Sequence, residues 1–238
     1  MFCAIPTPFS HVWEDSVRSL MIVMFPLVGT VIGLIWTGVG MLTKVLNVPV
    51  MLAAAVMALI PYLLTGGIHL DGYMDTCDAV FSRRPLEKKR EILKDSHVGS
   101  FAVVGLAVLM MLGFSAFASA KPEINYLTLV FICTVSRCCS AIGVSTLRPM
   151  GHSEYAGNFQ KGISRGNIAV LVTMLIAALC LSYFVCGISG IVSSLVTAFC
   201  YCVLTYYAFK NLYGFSGDVT GFGHTLAELC GVITLVLF

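Results

Sequence analysis

The chain has 238 residues, 58% hydrophobic and only 11% charged, with a formal net charge of +2. A soluble domain carries about 25% charged residues, so this chain lacks the polar surface to cover a water-facing globule. Lipid is the expected solvent, the expected fold class is an all-α polytopic membrane bundle forming one membrane domain, and no nucleic-acid partner is expected; the net charge by itself says little.

The start of the chain holds Glu14, Asp15 and Arg18 and no short apolar run, so no cleavable signal peptide is expected. A spanning helix needs about 20 mostly apolar residues. Seven runs qualify: 20–42, 48–65, 101–119, 124–145, 167–186, 188–209 and 221–238. The fifth and sixth are separated only by the turn Cys186-Gly187-Ile188-Ser189-Gly190. Pro26, Gly29 and Gly33 inside the first run are tolerable because neighbouring helices re-satisfy the backbone. The loop 82–96 is expected to hold a short helix, with Pro85 at its first position and Leu86, Ile92 and Leu93 as a small apolar face.

Seven spans put the N-terminus, 66–100, 146–166 and 210–220 on one side. That side carries Arg18, Arg83, Arg84, Lys88, Lys89, Arg90, Lys94, Arg148, Lys161, Arg165 and Lys210, whereas the other holds only Lys44 and Lys121. The positive-inside rule makes the basic side cytoplasmic, N-terminus included. Most acidic residues share it, so the chemistry is expected at the cytoplasmic membrane face. The ten cysteines, among them Cys133, Cys180, Cys200 and Cys230 inside apolar runs, show no metal-ligand spacing and read as buried free thiols.

The most informative stretch follows the second run: Gly66-Gly67-Ile68-His69-Leu70-Asp71-Gly72-Tyr73-Met74-Asp75-Thr76-Cys77-Asp78. Asp71, Asp75 and Asp78 recur at i, i+4 and i+7, which on a helix keeps them within about 60° of one another. Three converging anions at the end of an apolar helix are costly without a positive partner. Hard oxygen donors of this kind suit Mg²⁺ or Mn²⁺, and a metal held by few carboxylates keeps positions open for phosphate oxygens. Pairing with the basic loop, or plain solvation, are the other readings of the same residues. Gly67 and Gly72 remove side chains where a bulky phosphorylated substrate would approach.

Further along, Lys94-Asp95-Ser96 precedes the third run, where Asp95 is either a fourth carboxylate or a helix cap. The basic run 83–94 reads first as a topology signal and lipid-headgroup binder, and second as a phosphate clamp. Asp218, flanked by Gly217 and Gly221 at a membrane boundary, is either functional or a capping turn. Glu228 and Arg137 lie inside spans, where a charge is functional by default or else the two are each other's partner. On an ideal helix His69 points about 160° from Asp71, so joint ligation would require a break at the glycines. His11, His152 and His224 read as isolated structural residues.

These residues resemble a known family. The segment Gly66-Gly67-Ile68-His69-Leu70-Asp71-Gly72, continued by Asp75-Thr76 and Asp78, is similar to the acidic motif of the cobalamin synthases, the adenosylcobinamide-GDP ribazoletransferases. Phe25-Pro26-Leu27-Val28-Gly29, Lys94-Asp95-Ser96 with Gly99, and Gly217-Asp218-Val219-Thr220-Gly221 followed by Glu228-Leu229 resemble three further motifs in the family's order. Departures are Ala4 where Arg is common, His97 where Arg or Pro is frequent, and the 146–166 loop, which keeps Arg148, Gly157 and Phe159.

The resemblance implies a reaction. Adenosylcobinamide-GDP joins α-ribazole or its 5′-phosphate and releases GMP, with Mg²⁺ as cofactor, at the cytoplasmic (inner) membrane. It implies Asp71, Asp75 and Asp78 as metal ligands and catalytic residues, with Asp95 completing the site or acting as base. Gly67, His69, Gly72, Lys94, Ser96, Arg148 and Asp218 then face substrate. Membrane lipid, other cobalamin-assembly enzymes and further copies of the chain are the remaining partners it suggests. Two other classes compete. A CDP-alcohol phosphotransferase would continue Asp71-Gly72 with an Ala-Arg pair that this chain lacks. An ion-coupled transporter would carry its acids at mid-membrane within repeats, and no repeat is evident.

Overall fold

A computed structural model describes residue 3 and residues 18–150, 160 and 162–238. Ala4, His11, Glu14, Asp15, His152, Gly157, Phe159 and Lys161 lie outside the described residues. Among the described residues the regular structure is helical, apart from one bridge between Pro149 and Phe215. In chain order the helices are α1 (Arg18–Val45), α2 (Val50–Leu64), α3 (Ile68–Phe81), α4 (Leu86–Ile92), α5 (Ser100–Ala118), α6 (Thr128–Thr146), α7 (Arg165–Leu212) and α8 (Gly217–Leu237).

By length and composition, α1, α5, α6, α7 and α8 can each cross a membrane, and the bent pair α2 and α3 makes up to six spans. The seven expected apolar runs overlap α1, α2, α5, α6, the two limbs of α7, and α8. The short helix expected in the basic loop is α4, although Pro85 stands at its N-cap rather than inside it.

The 48 residues of α7 are not one straight rod. Gly187 has φ 69° and ψ −151°, outside the helical region and open to glycine. In a straight helix residues eight apart stand about 12 Å apart. Yet a Cβ on Gly190 would collide with the Ser182 carbonyl. Leu171 also shares a buried cluster with Ala208 and Leu212, and Ala178 shares another with Tyr201. The chain therefore reverses at Gly187, and residues on either side form the two limbs of a hairpin.

Helices α6 and α8 are central and largely buried, whereas α5 and α7 turn most of their surface outward. Lipid supplies no hydrophobic drive between helices, so close backbone packing has to hold them. Helix α1 approaches α6 through glycine: Gly29 meets the Cys133 carbonyl, and a Cβ on Gly33 would lie 2.5 Å from Val130 Cα.

The bundle has two distinct ends. At one, Lys44 Nζ donates to the carbonyls of Pro122 (2.7 Å) and Ile124 (3.2 Å), and Lys121 Nζ donates to Phe238 O (3.1 Å). Ser189, next to the α7 reversal, lines a recess with Lys121, Glu123, Asn125 and Phe238 at this end. At the other end α4 docks on the end of α7: Arg90 donates to the carbonyls of Leu212 and Tyr213, and Lys89 Nζ to Asn211 Oδ1 at 3.0 Å. Cationic side chains there meet the carbonyls that a helix C-terminus leaves unpaired. The bridge at Pro149 and Phe215 gathers a second connection at the same end, through Met150 N–H to Phe215 O and Phe215 N–H to Arg148 O, both 2.9 Å.

Candidate functional site

The site is built where α3 crosses α8. Gly66 and Gly67, with φ of 64° and 77°, end α2 and turn the chain by 93° into α3. The break therefore comes before His69, which belongs to α3 and keeps the helical offset from Asp71. Asp71 is exposed and Asp75 half-buried, while His69 is buried on the opposite side. His69 does not join the aspartates.

The crossing is tight because glycines meet backbone. A Cβ on Gly72 would lie 2.8 Å from Asp218 Cα, and one on Gly221 would lie 2.8 Å from the His69 carbonyl. That carbonyl accepts from Thr225 Oγ1 at 3.3 Å, and the Tyr73 and Phe222 rings stack at 5.8 Å. Asp218 sits in the first turn of α8, whose N-cap Ser216 accepts from Val219 N–H and donates to Asp218 Oδ2, both at 3.3 Å. The negative charges of Asp71, Asp218 and Asp78 all bear on Asp75, and that of Asp71 bears on Asp218. Asp218 thus joins the acidic face from a second helix, 140 or more residues along the chain from the other three.

Asp78 faces elsewhere. Its Oδ2 accepts from Gly99 N–H at 2.7 Å and its Oδ1 from Ala102 N–H at 3.0 Å. The N-cap position of α5 is Gly99, which has no side chain to cap the helix, so Asp78 caps it from α3. Asp95 is paired with His97, whose ring Nδ1 lies 2.6 Å from Asp95 Oδ1 and whose backbone N–H donates to the same oxygen at 3.1 Å. These bonds hold the Asp95 carboxyl below the usual carboxylate range, and Asp95 in turn raises the His97 pKa. Lys94 and Ser96 flank Asp95 on the exposed loop. Arg148 is exposed, and its carbonyl bond to Phe215 ties it three residues ahead of Asp218.

Among the described residues no group of three or more His, Cys, Asp or Glu side chains is drawn together closely enough to hold a metal ion as it stands. The chemistry of the donor set nevertheless fits a hard divalent cation. Asp71, Asp75 and Asp218 offer carboxylate oxygens only, with their charges converging, and both oxygens of Asp78 keep a lone pair beside the N–H groups they accept.

Beneath the crossing lies a polar cluster that periodicity alone does not assemble. Arg137 Nη1 donates to Glu228 Oε1 at 2.8 Å, Ser136 Oγ donates to the same oxygen at 2.9 Å, and Arg137 Nη1 also reaches Cys133 O at 3.1 Å. Glu228 and Arg137 are therefore partners, the structural alternative for the two in-span charges. His224, expected to stand alone, is 3.3 Å from Glu228 Oε1 through Nε2, and its ring centroid is 4.6 Å from that of His69. The i, i+4 spacing of His224 and Glu228 was the one signal in the sequence that could have linked them.

The comparisons with known proteins agree on one family. Residues 1–236 match the family model described as cobalamin-5-phosphate synthase. A protein of Clostridium perfringens named adenosylcobinamide-GDP ribazoletransferase is 33% identical over 236 residues, 99% of this chain and 94% of that protein. Like-named proteins of Clostridium botulinum (33% identical, covering 100% of this chain and 94% of theirs) and Desulfitobacterium hafniense (32%, covering 86% and 81%) match as well. No solved structure matches. The chain, an all-helical membrane protein with Asp71, Asp75 and Asp218 where α3 crosses α8, belongs to the cobalamin-5-phosphate synthase family.

Proposed function

We propose that the protein joins adenosylcobinamide-GDP to α-ribazole or its 5′-phosphate, forming adenosylcobalamin or its 5′-phosphate and releasing GMP. The observation that carries this reading is the α3–α8 crossing, which packs Gly72 against the Asp218 backbone and brings the charges of Asp71, Asp75 and Asp218 to bear on one another at one end of the bundle, in a chain of this family. The acidic end is proposed to face the cytoplasm at the inner membrane, because most of the basic residues lie there too, and the chain is proposed to act as one membrane domain.

Asp71 and Asp75, with Asp218 and Asp78 behind them, would hold Mg²⁺. When bound, the ion supplies charge neutralisation on the pyrophosphate. Gly72 and Gly67 leave room for the phosphate chain to approach the backbone. The ribazole ribose hydroxyl attacks the cobinamide-side phosphorus, the bond to the GMP oxygen breaks, and GMP carries away the electron pair. Lys94 and Arg148, exposed at the same end, provide positive charge for the departing phosphate. Asp95, kept ionised by His97, receives the hydroxyl proton, although its lowered pKa makes it a weak base. Ser96 lies beside it on the substrate side.

The test is GMP release by the purified, detergent-solubilised protein from adenosylcobinamide-GDP plus α-ribazole 5′-phosphate, with Mg²⁺ and with EDTA. Metal-dependent release in the wild type, lost in Asp75→Asn, is the expected result. No release from folded wild-type protein would overturn the substrate assignment, and CDP-alcohols would be the next substrates tried.

A further inference from the structure

The cluster under the crossing is fully inside the protein and holds more hydrogen-bonding capacity than its members use on one another. Arg137 is 0% exposed, His224 2%, Glu228 7% and His69 9%. Arg137 Nε and Nη2, His224 Nδ1 and His69 Nε2 are all buried and lack a hydrogen-bond partner, and His224 Nε2 has only its 3.3 Å approach to Glu228 Oε1, which is poorly aligned for a hydrogen bond. A buried polar group left dry is costly, so four in one place call for internal water. The Phe25 ring closes the cluster from α1, 5.8 Å from the Arg137 guanidinium and 6.0 Å from the His69 ring.

The cluster lies immediately behind the acidic face. His69 precedes Asp71 by two residues, its carbonyl is the atom against which Gly221 packs, and Thr225 holds that carbonyl from α8. Glu228 and His224 lie on α8, the helix that carries Asp218, and Arg137 and Ser136 lie on α6. One buried assembly thus spans the two helices that supply the carboxylates and anchors both to the central α6.

We propose that Arg137, Glu228, His224 and His69, bridged by internal water, form a positioning network that sets the rotation of α3 against α8, and hence where Asp71 and Asp75 stand relative to Asp218. None of these four side chains touches substrate in this role. The proposal rests on the reaction proposed above, and one arm of its test is independent of that reaction.

The experiment compares the wild type with Glu228→Gln, His224→Gln and the double variant Arg137→Met/Glu228→Met in lipid nanodiscs. It reads kcat and KM for GMP release, the melting temperature, and hydrogen exchange of residues 68–75. Glu228→Gln and His224→Gln are expected to lower kcat about tenfold or more with KM within about threefold, and to speed exchange in 68–75 while α6 stays protected. Removing both charges is expected to restore stability, because the apolar pair leaves no charge stranded, without restoring kcat. Recovery of kcat together with stability in the double variant would show a merely structural ion pair and overturn the proposal. So would wild-type kcat in His224→Gln, a variant that leaves the ion pair intact and so tests the network even if Glu228→Gln does not fold. If the wild type itself releases no GMP, the reaction assignment fails. The exchange arm then decides alone, and unchanged exchange of 68–75 in both single variants overturns the positioning role.

Discussion

At the scale of single residues, the site is governed by what glycine leaves out. Gly72 lets Asp218 backbone come within the space a methyl would need, 2.8 Å from the added carbon. Backbone cannot swing aside as a long side chain can, so Gly72→Ala must push α3 off α8. GMP release is expected to fall about tenfold or more, with a lower melting temperature. Gly38→Ala, whose added methyl meets nothing within 4 Å, is the matched control and should match the wild type in both readouts. An active, equally stable Gly72→Ala would show that the crossing does not define the site. That Asp71 and Asp75 share a face of α3 was legible, because period and spacing alone fix a helix face. The turn of Asp78 toward Gly99 was not legible, since it depends on where α5 begins in space. The pairing of His69 with His224 was hidden for the same reason, with only the i, i+4 step to Glu228 as a clue.

At the scale of elements, α5 borrows its cap. Its own N-cap, Gly99, must be small, because a Cβ there would lie 2.5 Å from Asp78 Oδ1. The carboxylate of a neighbouring helix takes over the work of a Ser or Asp at the cap. Asp78→Ala is expected to cost about 1–2 kcal/mol of stability, read by thermal unfolding, with faster hydrogen exchange confined to the first turn of α5. Unchanged exchange at Gly99 and Ala102 would count against the cap. The existence of α1, α2, α5, α6, α7 and α8 was readable from apolar runs, whereas α3 and α4 lie outside those runs. The shape of the α2–α3 break and the α7 reversal depended on backbone angles at Gly66, Gly67 and Gly187, where sequence marks a turn and leaves its angle open. Pro85 shows the usual limit at helix ends, one position off its expected place.

For the whole molecule, the two ends differ in chemistry as the charge count implied. Lys44 and Lys121 stand at one end with Phe238, and Lys88, Lys94 and Arg148 belong to the end with the aspartates. If the acidic end faces the cytoplasm, a membrane-impermeant amine reagent should label Lys88 and Lys94 in inverted vesicles and Lys121 in right-side-out ones, as mass spectrometry of the digests would report. The opposite pattern would reverse the proposed sidedness.

The hairpin of α7 leaves the acidic end, turns at Gly187 near Ser189 and Lys121, and returns to the acidic end at Tyr213. The cap bond of Ser164 with Asn167 at its start and the bonds of Lys89 and Arg90 to its last turn lie at that end. The reversal is thus the part of the hairpin farthest from any catalytic group. A turn of helix added to each limb there would lengthen the apolar belt by about 5 Å and leave the aspartates where they are. Adaptation to a thicker bilayer and preservation of the chemistry are separable in this architecture.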